Sequence, residues 1–182
     1  VDVAAATSLI ADTDAGDDSD IQIDSIGDLP VGLVTAGTGD VTLDSTGDID
    51  SVAADGVADI RADEILLRAA IGGIGNDEVV EVTAAGALSA DTDAGDDAAI
   101  QINSIGDLPV GLVDAGAGAV TLNSTGDIDS ATDDDVADVL GGQINLQADV
   151  GGIGNDSTLD VAAETELNAD TTADNANIQI DS

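Results

Sequence analysis

Short stretches of alternating aliphatic and polar residues run the length of the chain. Ile21 and Ile23 flank Gln22, Val41 and Leu43 flank Thr42, Val80 and Val82 flank Glu81, and Ile144 and Leu146 flank Asn145. A period of two places the aliphatic side chains on one face of a strand and the polar ones on the other. Between these stretches lie turns rich in Gly and Asp: DAGDD, GTGD, STGD and GGIGND. Such turns end strands because Gly tolerates backbone angles that other residues avoid, and Asp bonds to its own backbone. Only VADIRADEILLRAA, residues 57 to 70, also fits a helix. Its later counterpart VADVLGGQINLQAD carries Gly141 and Gly142, which disfavour a helix, so both segments read as strand.

The pattern repeats. IQIDSIGDLPVGLV at 21 to 34 returns as IQINSIGDLPVGLV at 100 to 113, and VTLDSTGDIDS at 41 to 51 returns as VTLNSTGDIDS at 120 to 130. Gln22 and Gln101, Pro30 and Pro109, and Gly75 and Gly154 are each 79 residues apart. The chain divides into repeats at 1–79 and 80–158 and a partial third at 159–182. The partial copy and the start at Val1 rather than Met read as a piece of a longer array.

Such a repeat of short strands predicts an all-β fold, a right-handed parallel β-helix forming one continuous solenoid over residues 1–182. About four rungs of roughly 20 residues per repeat are expected, with handedness following from strand twist. Tandem Ig-like β-sandwiches, one per repeat, are the alternative. Composition separates the two. The chain has no Phe, Trp, Tyr, Met, Cys or His. A sandwich of this size packs bulky residues, whereas stacked rungs have a narrow core that Ala, Val, Ile and Leu can fill.

Charge narrows the partners. Thirty-nine acidic residues against two basic ones give a net charge of -37. Nucleic acid and anionic membranes are excluded as partners, because both need clustered Lys and Arg. The expected partners are other copies or repeats of the same solenoid, cations and cell-surface polysaccharide. Arg61 and Arg68 have no basic counterparts in the second repeat, where Leu140 and Gln147 stand. They read as local charge relief beside Asp59, Asp63 or Glu64.

The order of motifs (GDL-x-VG, GDVTLDSTGDI, an alternating strand, GGIGN, ALSADTDAG) resembles that of the large bacterial exoproteins similar to filamentous haemagglutinin. The resemblance spans essentially the whole chain. It implies a right-handed β-helix exported to the cell surface. This chain is far more acidic than the family's usual pattern, which is the composition of a salt-adapted organism's surface-layer or matrix protein.

Two motifs are suited to an ion. GGIGNDEVV at 72 to 80 has the form of a calcium-binding nonapeptide, with Asp77 as its carboxylate and Asp156 in the second copy. Such sites are built from tandem nonapeptides, and here one occurs per repeat, so the plainer reading is a tight turn. DTDAGDD gathers Asp12, Asp14, Asp17 and Asp18 in one loop, and Asp91, Asp93, Asp96 and Asp97 repeat it. Calcium takes six to eight oxygen ligands, which such a loop can supply in part. The alternative is a solvated acidic turn. Calcium is the one cofactor the sequence suggests, and no motif requires it. Asp24 and Asp44 become Asn103 and Asn123 in the second repeat, where stacked amides can bond along the axis.

Catalysis is not expected. Without Cys or His the serines have no activating base, and paired carboxylates are too common here to mark a glycosidase site. The sequence reads as a structural segment of an extracellular or cell-surface protein: a fibre, stalk or adhesin spacer. Uncapped ends leave strand edges that allow end-to-end stacking into filaments. A calcium-dependent adhesive module is the alternative.

Stacked carboxylates at about 4.8 Å repel by roughly 1 kcal/mol even in bulk water. The melting temperature is therefore expected to rise with salt and more steeply with calcium. Equal melting in dilute buffer and in about 10 mM calcium, the upper range of weak extracellular sites, contradicts this.

Overall fold

A computed structural model describes residues 2–3, 7–13, 19–92, 97–173 and 176–182. Among them there is no helix and every strand pairing is parallel. The first repeat holds β1 (Asp2–Val3), β2 (Leu9–Asp12), β3 (Ile21–Ser25), β4 (Leu29–Thr35), β5 (Val41–Ser45), β6 (Ile49–Ser51) and β7 (Ile60–Ala69). The second holds β8 (Val80–Asp91), β9 (Ile100–Ser104), β10 (Leu108–Asp114), β11 (Ala119–Ser124), β12 (Ile128–Ser130) and β13 (Val139–Ala148). β14 (Leu159–Thr171) and β15 (Ile180–Asp181) complete the chain. This is a β-solenoid: each strand lies on the strand one coil earlier and under the strand one coil later.

Two columns of registered residues define the coil. One runs Ile21, Val41, Ile65, Leu88, Val110, Ser130. The other runs Leu29, Ile49, Ile74, Ile100, Val120, Ile144, Leu167. Between Ile21 and its equivalent Ile100 the chain passes the first column at 21, 41, 65 and 88 and the second at 29, 49 and 74. These are seven half-coils, so the 79-residue repeat makes three and a half coils, close to the expected number of about four. Partners lie 20 residues apart at Ile21 and Val41 but 26 apart at Val34 and Ile60 and at Ile74 and Ile100, because the turns after β6 and after Ile74 are longer. Seven coils span the first 158 residues, about 34 Å at strand spacing of about 4.8 Å.

The half coil has a consequence for every repeated motif. Ile100 stands in the column opposite to Ile21, and Val110 in the column opposite to its equivalent Val31. Successive repeats therefore present the same feature on opposite sides of the solenoid.

Inward residues of both sides form one apolar cluster that runs from Leu9 to Val161. Leu43, Ile49, Ile74, Leu88, Ile100 and Leu122 are fully buried. At about 1.5–3 kcal/mol per buried aliphatic side chain, this column is the main stabilising contribution. Its width suits Val, Ile and Leu, which accounts for the absence of aromatic residues.

Close stacking also fixes particular glycines. Gly75 (φ +66°) and Gly154 (φ +64°) are left-handed, and a Cβ there would lie 2.1 Å from the Gln101 carbonyl oxygen and 1.9 Å from that of Gln179. Gly27 is also left-handed (φ +91°), but a Cβ there meets no atom within 4 Å. Gly27→Ala is expected to cost about 1 kcal/mol from backbone strain alone. Gly75→Ala is expected to cost about 3 kcal/mol or more, because the next coil must also move. Equal unfolding midpoints for the two variants in a urea titration contradict this assignment.

Candidate functional site

The polar surface has one dominant construction: a carboxylate of one coil accepts a backbone N–H from the turn of the next. Asp28 accepts from Asp48 N (3.2 Å), and Asp48 from Gly73 N (2.7 Å). In the second repeat Asp107 accepts from Asp127 N (3.1 Å), and Asp127 from Gly152 N (2.6 Å). These are the Asp residues of the recurrent Gly-Asp dipeptide. Next to them Ser45 Oγ donates to Gly27 O (2.7 Å), and Ser124 Oγ to Gly106 O (2.7 Å). These serines and acids are less conspicuous in the sequence than the denser acidic loops. They are marked by the Ser-Ile-Gly-Asp and Ser-Thr-Gly-Asp spellings that both copies share.

The nonapeptide-like turns use their polar groups in the same way. Asp50 Oδ1 accepts from Asp77 N, and Asp129 Oδ1 from Asp156 N, both at 3.1 Å. The Asn76 amide, with its nitrogen toward the preceding coil, reaches Asp48 Oδ1 and Asp50 Oδ1 at 3.2 Å each. The Asp77 and Asp156 carboxylates themselves are exposed, and they stand on opposite sides of the solenoid. Burial pushes the carboxyls of Asp50 and Asp129 upward despite the N–H groups they accept.

The acidic loops are closed at their base. Thr13 Oγ1 donates to Ser19 O (2.6 Å), and its equivalent Thr92 Oγ1 to Ala98 O (2.7 Å). Asp12 and Asp91 end β2 and β8, opposite Thr35 and Asp114 respectively. Asp97 has a left-handed backbone (φ 54°) and accepts from Ala117 N (3.1 Å). Asp14, Asp17, Asp18, Asp93 and Asp96 lie outside the described residues. Among the described residues, no three acidic groups converge as a metal site would require.

A buried polar network anchors the long turn after β6. Asp59, 5 % exposed, accepts from Ser51 Oγ (3.0 Å) and Glu81 N (2.9 Å). Glu81, 3 % exposed, accepts from Asp55 N and Gly56 N, both at 2.9 Å. The second repeat keeps the first half of this network: Asp138 accepts from Ser130 Oγ (2.9 Å) and Asp160 N (2.9 Å). Asp160 replaces the longer Glu81, and Asp135, in place of Gly56, adopts a left-handed φ of 57°.

Two open grooves occupy equivalent positions on opposite sides. The first, about 440 Å³, is lined by Asp24, Asp44, Arg68, Asp91, Ile26 and Ala70 among others. The second, about 350 Å³, has Asn103, Asn123 and Gln147 in place of Asp24, Asp44 and Arg68. Each set solves the problem of stacking like residues in adjacent coils. In the first, Arg68 lies 3.7 Å from Asp44, one coil away. That partner corrects the expectation of a nearby Asp59, Asp63 or Glu64, since the register brings residue 44 beside 68. In the second, Asn123 Nδ2 donates to Asn103 Oδ1 (2.9 Å). The amide ladder read from the sequence is therefore present, and Asn168 and Asn145 add another (3.0 Å).

Compared with family models, curated proteins and solved structures, the chain matches none. The fold defines the class, a parallel β-solenoid.

Asp59 supplies a test of the buried network. Burial, followed by the charge of Glu81, outweighs its hydrogen bonds and raises its pKa from the ordinary 3.8 to about 6. The folded state therefore holds this proton where the unfolded state has lost it, and stability falls as pH rises from about 4 to 6. The urea midpoint is expected to be higher at pH 5 than at pH 7.5. Asn at this position can accept from Glu81 N and donate to Ser51 Oγ. Asp59→Asn is expected to add about 1–3 kcal/mol at pH 7.5 and to flatten the pH profile. A wild-type midpoint that climbs between pH 5 and pH 7.5 contradicts this.

Proposed function

We propose that the chain is a structural, non-catalytic segment of an extracellular repetitive protein, acting as a stiff acidic spacer or fibre element at the cell surface. The observation that carries this reading is the continuity of the coil. One apolar column and parallel ladders extend through both repeats, and cross-coil carboxylate bonds recur in each. Each coil buries its apolar side chains on its neighbours, so adding repeats adds length without a new core. A rigid rod with a dense anionic surface sets distance between what lies at its two ends and repels other anionic surfaces.

Cations are the natural counterpart of that surface. They associate along the acidic rows and lower their mutual repulsion, with calcium more effective per ion than potassium because of its charge. End-to-end stacking of solenoids into filaments is part of the same reading, since two solenoids can join by the parallel strand pairing that joins coils within the chain.

Electron microscopy of the purified segment, with and without millimolar calcium, is the test. Rods about one coil stack wide, alone or joined into filaments, are the expected outcome. Rounded particles of no fixed axis contradict a spacer.

A further inference from the structure

The groove of the first repeat differs from its counterpart in what it can hold. Asp24, Asp44, Arg68 and Asp91 follow one another in register, one per coil, and form a single row. Every coil in that row is stacked on both sides within this chain, since β1 pairs with β3 and β10 with β8. The ladder runs on past these residues: Thr46 N donates to Ser25 O (3.1 Å) and Ala70 N to Ser45 O (2.9 Å). Ile26, Thr46 and Ala70, two residues beyond Asp24, Asp44 and Arg68, are exposed and form the next outward row. Both rows line the groove of about 440 Å³.

The lining points to the chemistry of an occupant. Three carboxylates and one guanidinium leave the first row with a net negative charge. Arg68, a cation on an alkyl stem, lies 3.7 Å from Asp44 and shows what that row accepts. Ile26 is 79 % exposed, an apolar surface that a bare metal ion leaves uncovered. Ser25, 3 % exposed, also lines the groove, and among the described residues its Oγ has no hydrogen-bond partner. In the equivalent groove that capacity is used, because Ser104 Oγ donates to Asp107 O (3.1 Å). There the row reads Asn103, Asn123 and Gln147, and Asp149 stands in place of Ala70.

We infer that the groove of the first repeat binds a linear aliphatic polyamine, with two ammonium groups on Asp24 and Asp44 and the alkyl chain against Ile26. Residues one coil apart stand about 4.8 Å from each other, and ammonium groups three carbons apart stand about 5 Å from each other when extended. Lysines at alternate positions of an extended peptide leave its backbone about 6.6 Å apart, which fits the row less closely. Ammonium N–H groups donate charge-assisted bonds to the carboxylates, stronger than those a neutral amide row offers. The inference goes beyond the spacer reading and does not depend on it.

The probe is trimethylenediamine, titrated calorimetrically into the full chain in about 0.1 M sodium chloride, where charges beyond about 10 Å are screened. In an Asp24→Asn, Asp44→Asn, Arg68→Gln triple variant the row takes the residues that the same fold already carries in the second repeat. The net charge of -37 changes by a single unit, so diffuse attraction is unaltered. Affinity for the diamine is expected to fall about tenfold, the loss of two partly exposed charge pairs. Ile26→Ser leaves the charge unchanged and alters only an exposed side chain, so it remains a test should the triple variant not fold. It is expected to weaken the diamine about fourfold, the loss of roughly one covered methylene, and to leave the binding of magnesium ion unchanged. Equal diamine affinity in wild type and triple variant overturns the assignment and leaves diffuse cation association alone. An Ile26→Ser chain that holds the diamine as tightly as wild type overturns it too.

Discussion

Parallel stacking of each coil on the next is the interaction on which everything else depends. A single coil of this chain buries nothing by itself. It has no aromatic side chain to close a small core, and the backbone bonds of its strands run to the coils before and after. Stability is therefore a property of neighbours, and any side chain that strengthens the step between coils is reused at every step.

That reuse explains an acidity that first reads as a liability. Many of the carboxylates are not free surface charges. Asp28, Asp48, Asp107 and Asp127 each accept a turn N–H that the strand ladder cannot satisfy, and Asp59 and Asp138 do so from buried positions. Charge-assisted bonds of this kind are stronger than neutral ones, which offsets part of the repulsion between stacked acids. The two grooves show the remaining cost being met in two ways. One repeat intersperses Arg68 among aspartates, and the other replaces the stacked charges at these three positions with Asn103, Asn123 and Gln147. Alternation of these repeats around the axis gives one side of the rod a groove with an Asp–Arg row and the other a groove with an amide row.

The half-integral coil ties these observations together. With three and a half coils per repeat, one repeat cannot stack on itself without a half-turn, whereas two repeats restore the starting side. The Leu-x-Ala-Asp-Thr segments at positions 9 and 167, two repeats apart, therefore lie on the same side of the solenoid.

Local sequence determined the strands, their inward residues and the parallel solenoid, because alternation of Ile, Val and Leu with polar residues dictates which side chains point inward whatever lies beyond them. It also marked the amide ladder at Asn103 and Asn123, since two substitutions at equivalent strand ends point to a shared neighbour. The number of coils per repeat was decided only by the tertiary structure. Coil length depends on how far the chain travels between corners, and the longer turns after Ser51 and Ile74 add residues without adding a face. For the same reason the partner of Arg68 and the acceptors of the Gly-Asp turns were not legible locally. Each lies 20 to 25 residues away, at a separation fixed by the coil and not by any motif.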